Sequence, residues 1–203
     1  MAKSQLIIRE DYVKNPKIML VIAVNQKAEK IQGGGILYDL ELKTQIESWI
    51  GEEIEEPAPY IPTFLTLRNK PALIPVINYF WGKFDLVLVE GTGIQHPAFC
   101  GLASEIGVDF DVSTIGITKK SLVGEIDWTD PYKETANEHE VFPIYYKNQL
   151  LAYFIRKKRN KRGIFLSQGH KISLKTAIDI ILPLIRFRIP EPLRQLKILF
   201  KSF

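Results

Sequence analysis

Cysteine is almost absent from this 203-residue chain. The single one, Cys100, excludes an internal disulfide framework and any zinc site built from several cysteines, and points to a reducing compartment. Long apolar runs are missing as well. The opening MAKSQLIIREDY has no stretch of signal-peptide length. The longest apolar run near the C-terminus, AIDIILPLI, is broken by Asp179 and Pro183 and is too short to span a bilayer. A cytoplasmic protein with no membrane partner is therefore expected. There is no internal repeat and no low-complexity segment, which excludes a solenoid.

What is present suits one α/β domain over residues 1–203. Hydrophobic residues make up 46% of the chain, enough for a real core, and charged residues 25%, an ordinary share. The formal net charge of +4 hides an asymmetry. Residues 156–203 carry 13 Lys/Arg against Asp179 and Glu191, a net +11, so the remainder is acidic at −7. Within this basic third, RKKRNKR packs Arg156, Lys157, Lys158, Arg159, Lys161 and Arg162 into seven residues. Such a block is the footprint of phosphate binding, or else a solvated hairpin end that aids solubility.

Along the chain, KIMLVIAVN (17–25) reads as a central strand, and GGGILYDL with TQIESWIGEEI continues it as an antiparallel meander. FLTLRNKPALIPVINYF has helical periodicity interrupted by Pro71 and Pro75, so a helix is expected to start near Pro71. FDLVLVE is a second core strand. HPAFCGLASEIG suggests a short helix with proline near its start, and VDFDVSTIGIT a further strand. A hairpin turns at Lys147-Asn148. GIFLSQGH is a strand, Ser173 caps a helix, and IPEPLRQLKILF ends as a basic helix.

The stretch VLVEGTGIQHPAFCGLASEIG poses the chemical question. Glu90 ends a core strand, where α/β sheets bind ligands, and glycines beside it let a ligand approach the backbone. The structural alternative is a tight turn with a solvated acid. Four separated segments, VLVEGTGIQHPAFCGLASEIGV, STIGITKKSLVGE, PYIPTFLTLRNKP and SQGHKIS…RFRIPEPLR, together resemble the endonuclease V family. Members of that family recognise deaminated adenine (inosine) and cut 3′ of it with Mg²⁺, on an RNase H-like fold.

The resemblance implies roles position by position. Pro59, Tyr60, Ile61 and Pro62 match a wedge that inserts at the lesion. Gly91, Gly93, Ile94 and His96, with Gly101, Leu102, Ala103 and Ser104, match the pocket for a flipped base. Lys119 matches a lysine near the scissile phosphate, and His170 a histidine at the active centre. Arg156, Lys157, Lys158 and Arg159 would add backbone contacts. Each has a structural alternative: a core aromatic for Tyr60, a solvated pair for Lys119 and Lys120, a turn residue for His96, a helix cap for His170.

The departures concern the metal. The family's first two carboxylates correspond here to Asn25 and Asn69, and its third, an aspartate, to Glu90. An amide offers a carbonyl oxygen but neither charge nor basicity. Asp111, with nearby Asp39 and Asp109 as further candidates, could supply a relocated ligand beside Glu90. The expectation is a nucleic-acid-binding protein that reads inosine or flipped-out bases, with cleavage lost or weak and Mg²⁺ or Mn²⁺ bound if activity remains. Two alternatives are an active metal-dependent endonuclease and a protein-interaction scaffold displaying the acidic EEIEE of 52–56.

Overall fold

The computed structural model describes residues 3–57, 65–129, 131–134, 139–158 and 160–202. Strand β1 (Ile18–Lys27) has five consecutive buried residues, Met19 to Ala23. A strand wet on one face would alternate, so this one is covered on both. It pairs antiparallel with β2 (Lys30–Asp39), which pairs antiparallel with β3 (Thr44–Glu55). On its other side β1 runs parallel to β4 (Leu86–Glu90), and β4 parallel to β5 (Thr114–Thr118).

The sheet continues through β10 (Gly163–His170), β9 (Gln149–Lys157) and β8 (His139–Tyr146). The short β6 (Glu125–Ile126) and β7 (Lys133–Glu134) both add to β8. Lys147 and Asn148 join β8 to β9 with φ of 50° and 60°. That double left-handed turn matches the twist of paired strands.

Helices cover both faces. On one, Leu73, Val76 and Ile77 of α1 (Leu65–Tyr79) and Leu102, Ala103 and Ile106 of α2 (Leu102–Phe110) pack on Leu20, Ile22, Val87 and Val89. On the other, Ala177 and Ile178 of α3 (Leu174–Ile181) and Leu193 and Leu196 of α4 (Glu191–Leu199) pack on Met19, Val21, Leu86, Leu88, Ile115 and Ile117. Phe200, just past α4, fills space that only a glycine at Gly34 leaves open. Ser173 caps α3 by accepting from the Thr176 N–H at 3.1 Å, a contribution of about 1 kcal/mol. Among the described residues no helix is long and apolar enough to cross a membrane.

Three expectations are corrected. Helix α1 already includes Leu65 and holds Pro71 and Pro75 inside it. Both prolines, with Leu67 and Ile74, lie on its exposed face; carbonyls deprived of a donor there can be hydrated, which lowers the cost of an internal proline. Helix α2 begins at Leu102 after Gly101, so Pro97 lies in the preceding turn. Of VDFDVSTIGIT, only Thr114–Thr118 is strand, because the first three residues finish α2.

Candidate nucleic-acid interface

Parallel pairing of β1, β4 and β5 brings their C-terminal ends to one edge of the sheet. Side chains alternate along a strand, so Asn25 shares a face with Ala23 and Val21, and Glu90 shares that face with Leu88. This is the face that α4 covers. Leu193 and Leu196 bury into it, and Lys197 reaches the strand end. Its ammonium lies 2.7 Å from each oxygen of Glu90, with side chains 30% and 23% exposed. The acid that ends the core strand is thus held by a lysine 107 residues away.

Lys119, directly after β5, belongs to the same cluster. Its ammonium loses its proton more readily than an ordinary lysine, chiefly because it is partly desolvated, then because Lys197 and Arg188 repel it, against the attraction of Glu90. Arg188 is anchored by its Nε–H donating to the Gly163 carbonyl at 3.2 Å. β10 and β9 bring the start of the basic block to this edge as well, since Gly163 pairs with Arg156. Arg156 itself is engaged. Its Nε donates to Glu140 at 2.8 Å, and its guanidinium stands 5.0 Å from the Trp128 ring and 5.1 Å from that of Phe142. Lys157 and Lys158 are exposed. Arg159 and the segment with Pro59, Tyr60, Ile61 and Pro62 lie outside the described residues.

Beside the cluster is a cavity of about 240 Å³ lined by Leu65, Thr66, Thr92, His96, Gly101, Leu102, Thr118, Lys119, Lys120 and Leu122. Its walls are mostly apolar, with Thr hydroxyls and lysines at the rim, and it is smaller than the roughly 300–1,000 Å³ typical of drug-sized ligands. Gln95, fully buried, fixes one wall by donating from Nε2 to the Ser121 hydroxyl at 2.9 Å and the Val123 carbonyl at 3.1 Å.

Of the residues expected at a base pocket, His96, Gly101 and Leu102 line this cavity; the others have structural places. Ile94, Ala103 and Ser104 are fully buried in the fold. A Cβ built at Gly93 would overlap the Gln168 carbonyl, and one at Gly91 would meet the Leu102 side chain at 3.0 Å. The bare backbone beside Glu90 therefore admits another part of the chain where a side chain would stand. The His96 ring also shapes its turn, with Nδ1 accepting from the Ala98 N–H at 3.2 Å.

His170 is not at this edge. Glu90 registers with Ile117, whereas His170 registers with Thr114 at the other end of β5, about 10 Å along the strand. Its Nδ1 accepts from the Ile8 N–H at 3.2 Å and its Nε2 faces Asp111 at 3.6 Å. Burial, followed by the competing influences of Asp111 and Lys171, keeps this imidazole less basic than usual. The relocated-ligand candidates are also elsewhere. Asp111 is 76% exposed and pairs with Lys171 at 2.6 Å. Asp109 pairs with Lys3 and Lys70, and Asp39 caps the turn after β2 through the Glu41 and Leu42 N–H groups. Acids of the 52–56 stretch pair internally: Glu53 with Lys27, Glu55 with Lys30 and Glu56 with Arg68.

A family model described as endonuclease V matches residues 3–197. The chain belongs to the endonuclease V family. Endonuclease V of Dictyoglomus thermophilum is 37% identical over 194 residues, covering 94% of this chain and 82% of that protein. Endonuclease V of Dictyoglomus turgidum is 39% identical with the same coverage. Among solved structures, the catalytic domain of human endonuclease V superposes with a TM-score of 0.85 at 22% identity, over 98% of this chain and 90% of that one. Ciona intestinalis endonuclease V, in complex with a 24mer DNA containing an inosine followed by a ribo-adenosine, gives 0.80 at 22% identity over 98% and 92%. The fold is accordingly RNase H-like.

The divalent metal implied by this family does not fit the residues that correspond here to its carboxylates. Mg²⁺ takes oxygen ligands, typically one or two carboxylates with several waters. Here Asn25 and Asn69, both half-buried, carry no charge, and both oxygens of Glu90 already face an ammonium. Among the described residues no three of His, Cys, Asp and Glu stand together as a metal site. Cys100 supplies no thiolate either, since burial, with Glu105 second, pushes its thiol up to about 11.

Lys197 is the residue that sequence reasoning missed as a site residue. The available signal was its place four residues after Leu193, at the margin of the apolar stripe of α4.

Proposed function

We infer that this endonuclease V homologue binds nucleic acid and reads inosine or another flipped-out base, with strand cleavage lost or weak. The observation that carries this reading is the bidentate pairing of Lys197 with Glu90, the one acid retained at the strand ends, next to a ring-sized cavity and a basic edge. The base would enter the cavity between Thr92, His96 and Leu102. Lys119 would meet the adjoining phosphate, and Lys157 and Lys158 the backbone further along. Wedge residues Pro59, Tyr60, Ile61 and Pro62 would fill the gap in the stack. The solved Ciona intestinalis complex with inosine-containing DNA supports the ligand class.

Fluorescence binding of inosine-containing and plain strands, DNA and RNA, in Mg²⁺ or Mn²⁺, with a gel of the same samples, tests this. Selective binding that weakens with salt and leaves strands intact is expected. The second reading, an active metal-dependent endonuclease, is favoured by family membership. Cut strands that stay whole with Glu90→Ala would establish it and overturn the first.

A further inference from the structure

We propose that the strand-end centre is a phosphate seat that works without a divalent cation, in which the ammonium of Lys197 stands where the family would hold metal charge. The inference rests on the nucleic-acid reading above and deepens it by naming what the altered centre takes: one backbone phosphate of the strand whose base occupies the cavity.

The geometry carries it. Glu90 ends a core strand, at the edge of the sheet where α/β folds bind ligands. A metal bound there brings positive charge to the phosphate; here that charge is covalently part of the chain. Lys197 touches both Glu90 oxygens at 2.7 Å, which holds the ammonium at the sheet edge, and its third N–H is left for another acceptor. Lys119 both lines the cavity and interacts electrostatically with Glu90, Lys197 and Arg188. Glu90 is thus paired by Lys197 and attracted by Lys119, with Arg188 acting on Lys119 from its other side, and the excess positive charge suits an anion. Because Lys119 belongs to cavity and cluster together, a nucleotide with its base in the cavity places an adjoining phosphate among these cations. Glu90 acts as a positioning residue for Lys197.

The experiment compares the full chain with Lys197→Met, Glu90→Gln/Lys197→Met and Lys197→Arg. Anisotropy of an inosine-containing single strand is followed over a salt series at matched ionic strength, in EDTA and in excess Mn²⁺, with thermal melts of each variant. The double variant removes the ion pair together, so no unpaired acid is left to destabilise the fold or repel the strand. Native protein is expected to bind equally in EDTA and Mn²⁺. Glu90→Gln/Lys197→Met should bind about tenfold more weakly, with a salt slope lower by about one phosphate, while Lys197→Arg retains most of the affinity. Mn²⁺ tightening native binding more than tenfold, or the double variant matching native affinity and slope with an intact melt, overturns the proposal while leaving the nucleic-acid reading standing. If native protein binds no strand in either condition, that reading fails and the phosphate seat fails with it.

Discussion

The two edges of the parallel strands use the same residue types to opposite ends. At the N-terminal edge of β5, His170, Asp111 and Lys171 satisfy one another, and Asp11 accepts from the Ser173 N–H, the Ser173 hydroxyl and the Thr176 hydroxyl. Lys171 and its neighbours also accept and donate to the segment before β1, through Ile8 and Tyr12. At the C-terminal edge, Glu90, Lys197, Lys119 and Arg188 leave positive charge in excess beside a cavity. Polar groups spent on each other fasten the fold; at the opposite edge one sign of charge is left in surplus.

The sharpest way to break this contrast is at Gly93. Gly93→Ala forces a Cβ into the backbone of β10 and should cost about 3 kcal/mol or more, read as loss of soluble folded protein or a large drop in melting temperature. Had the glycine served ligand approach, stability would hold and only binding would fall.

His170→Ala comes next. The ring is 2% exposed, its Nδ1 accepts from the Ile8 N–H and its Nε2 faces Asp111, so its loss should cost about 2 kcal/mol with affinity for an inosine strand unchanged. Abolished binding in a folded His170→Ala protein would return this residue to the ligand edge. The two buried histidines predict a pH effect. Both His170 and His139 have folded-state basicity depressed by burial, so the stability they confer is complete above the unfolded value of about 6.5. It is lost as pH falls through the lower folded values. Melting temperature should therefore decline from about pH 6.5 downward, and less so in His170→Gln. A smaller acid step belongs to Asp11. Burial raises its pKa, but hydrogen bonds from Ser173 and Thr176 outweigh this and leave it below the ordinary range. Its stabilisation is present at neutral pH and disappears only once the depressed value is crossed; Asp11→Asn should remove that step.

The smallest effect lies within the basic block. Lys157→Ala should lower the salt slope of binding by about one with the melt unchanged. Arg156→Ala should act mainly on stability, because Arg156 is already committed to Glu140, Trp128 and Phe142. Equal slopes for the two variants would mean that Arg156 leaves its stack when a strand arrives.

Local features of this molecule were legible in the sequence and long-range ones were not. The buried run of β1, the Lys147-Asn148 turn and the Ser173 cap each depend on a few adjacent residues. The start of α1 was obscured because proline is read as a breaker wherever it falls, whereas its cost depends on which face the deprived carbonyl lies. His170 drew attention through the segment around it, yet antiparallel register carries it to the far end of β5. Lys197 looked like one more charge in a basic helix. Only the packing of Leu193 and Leu196 on β1 and β4 turns it toward Glu90.

That packing has a consequence for how the chain is made. α4 follows every strand of the sheet in the chain, and with Phe200 it seals the apolar face over β1 and β2. A ribosome delivering residues in order exposes that face until α4 has emerged. The cation at Glu90 is installed by the same docking step, so a nascent chain acquires this ion pair as its interior closes.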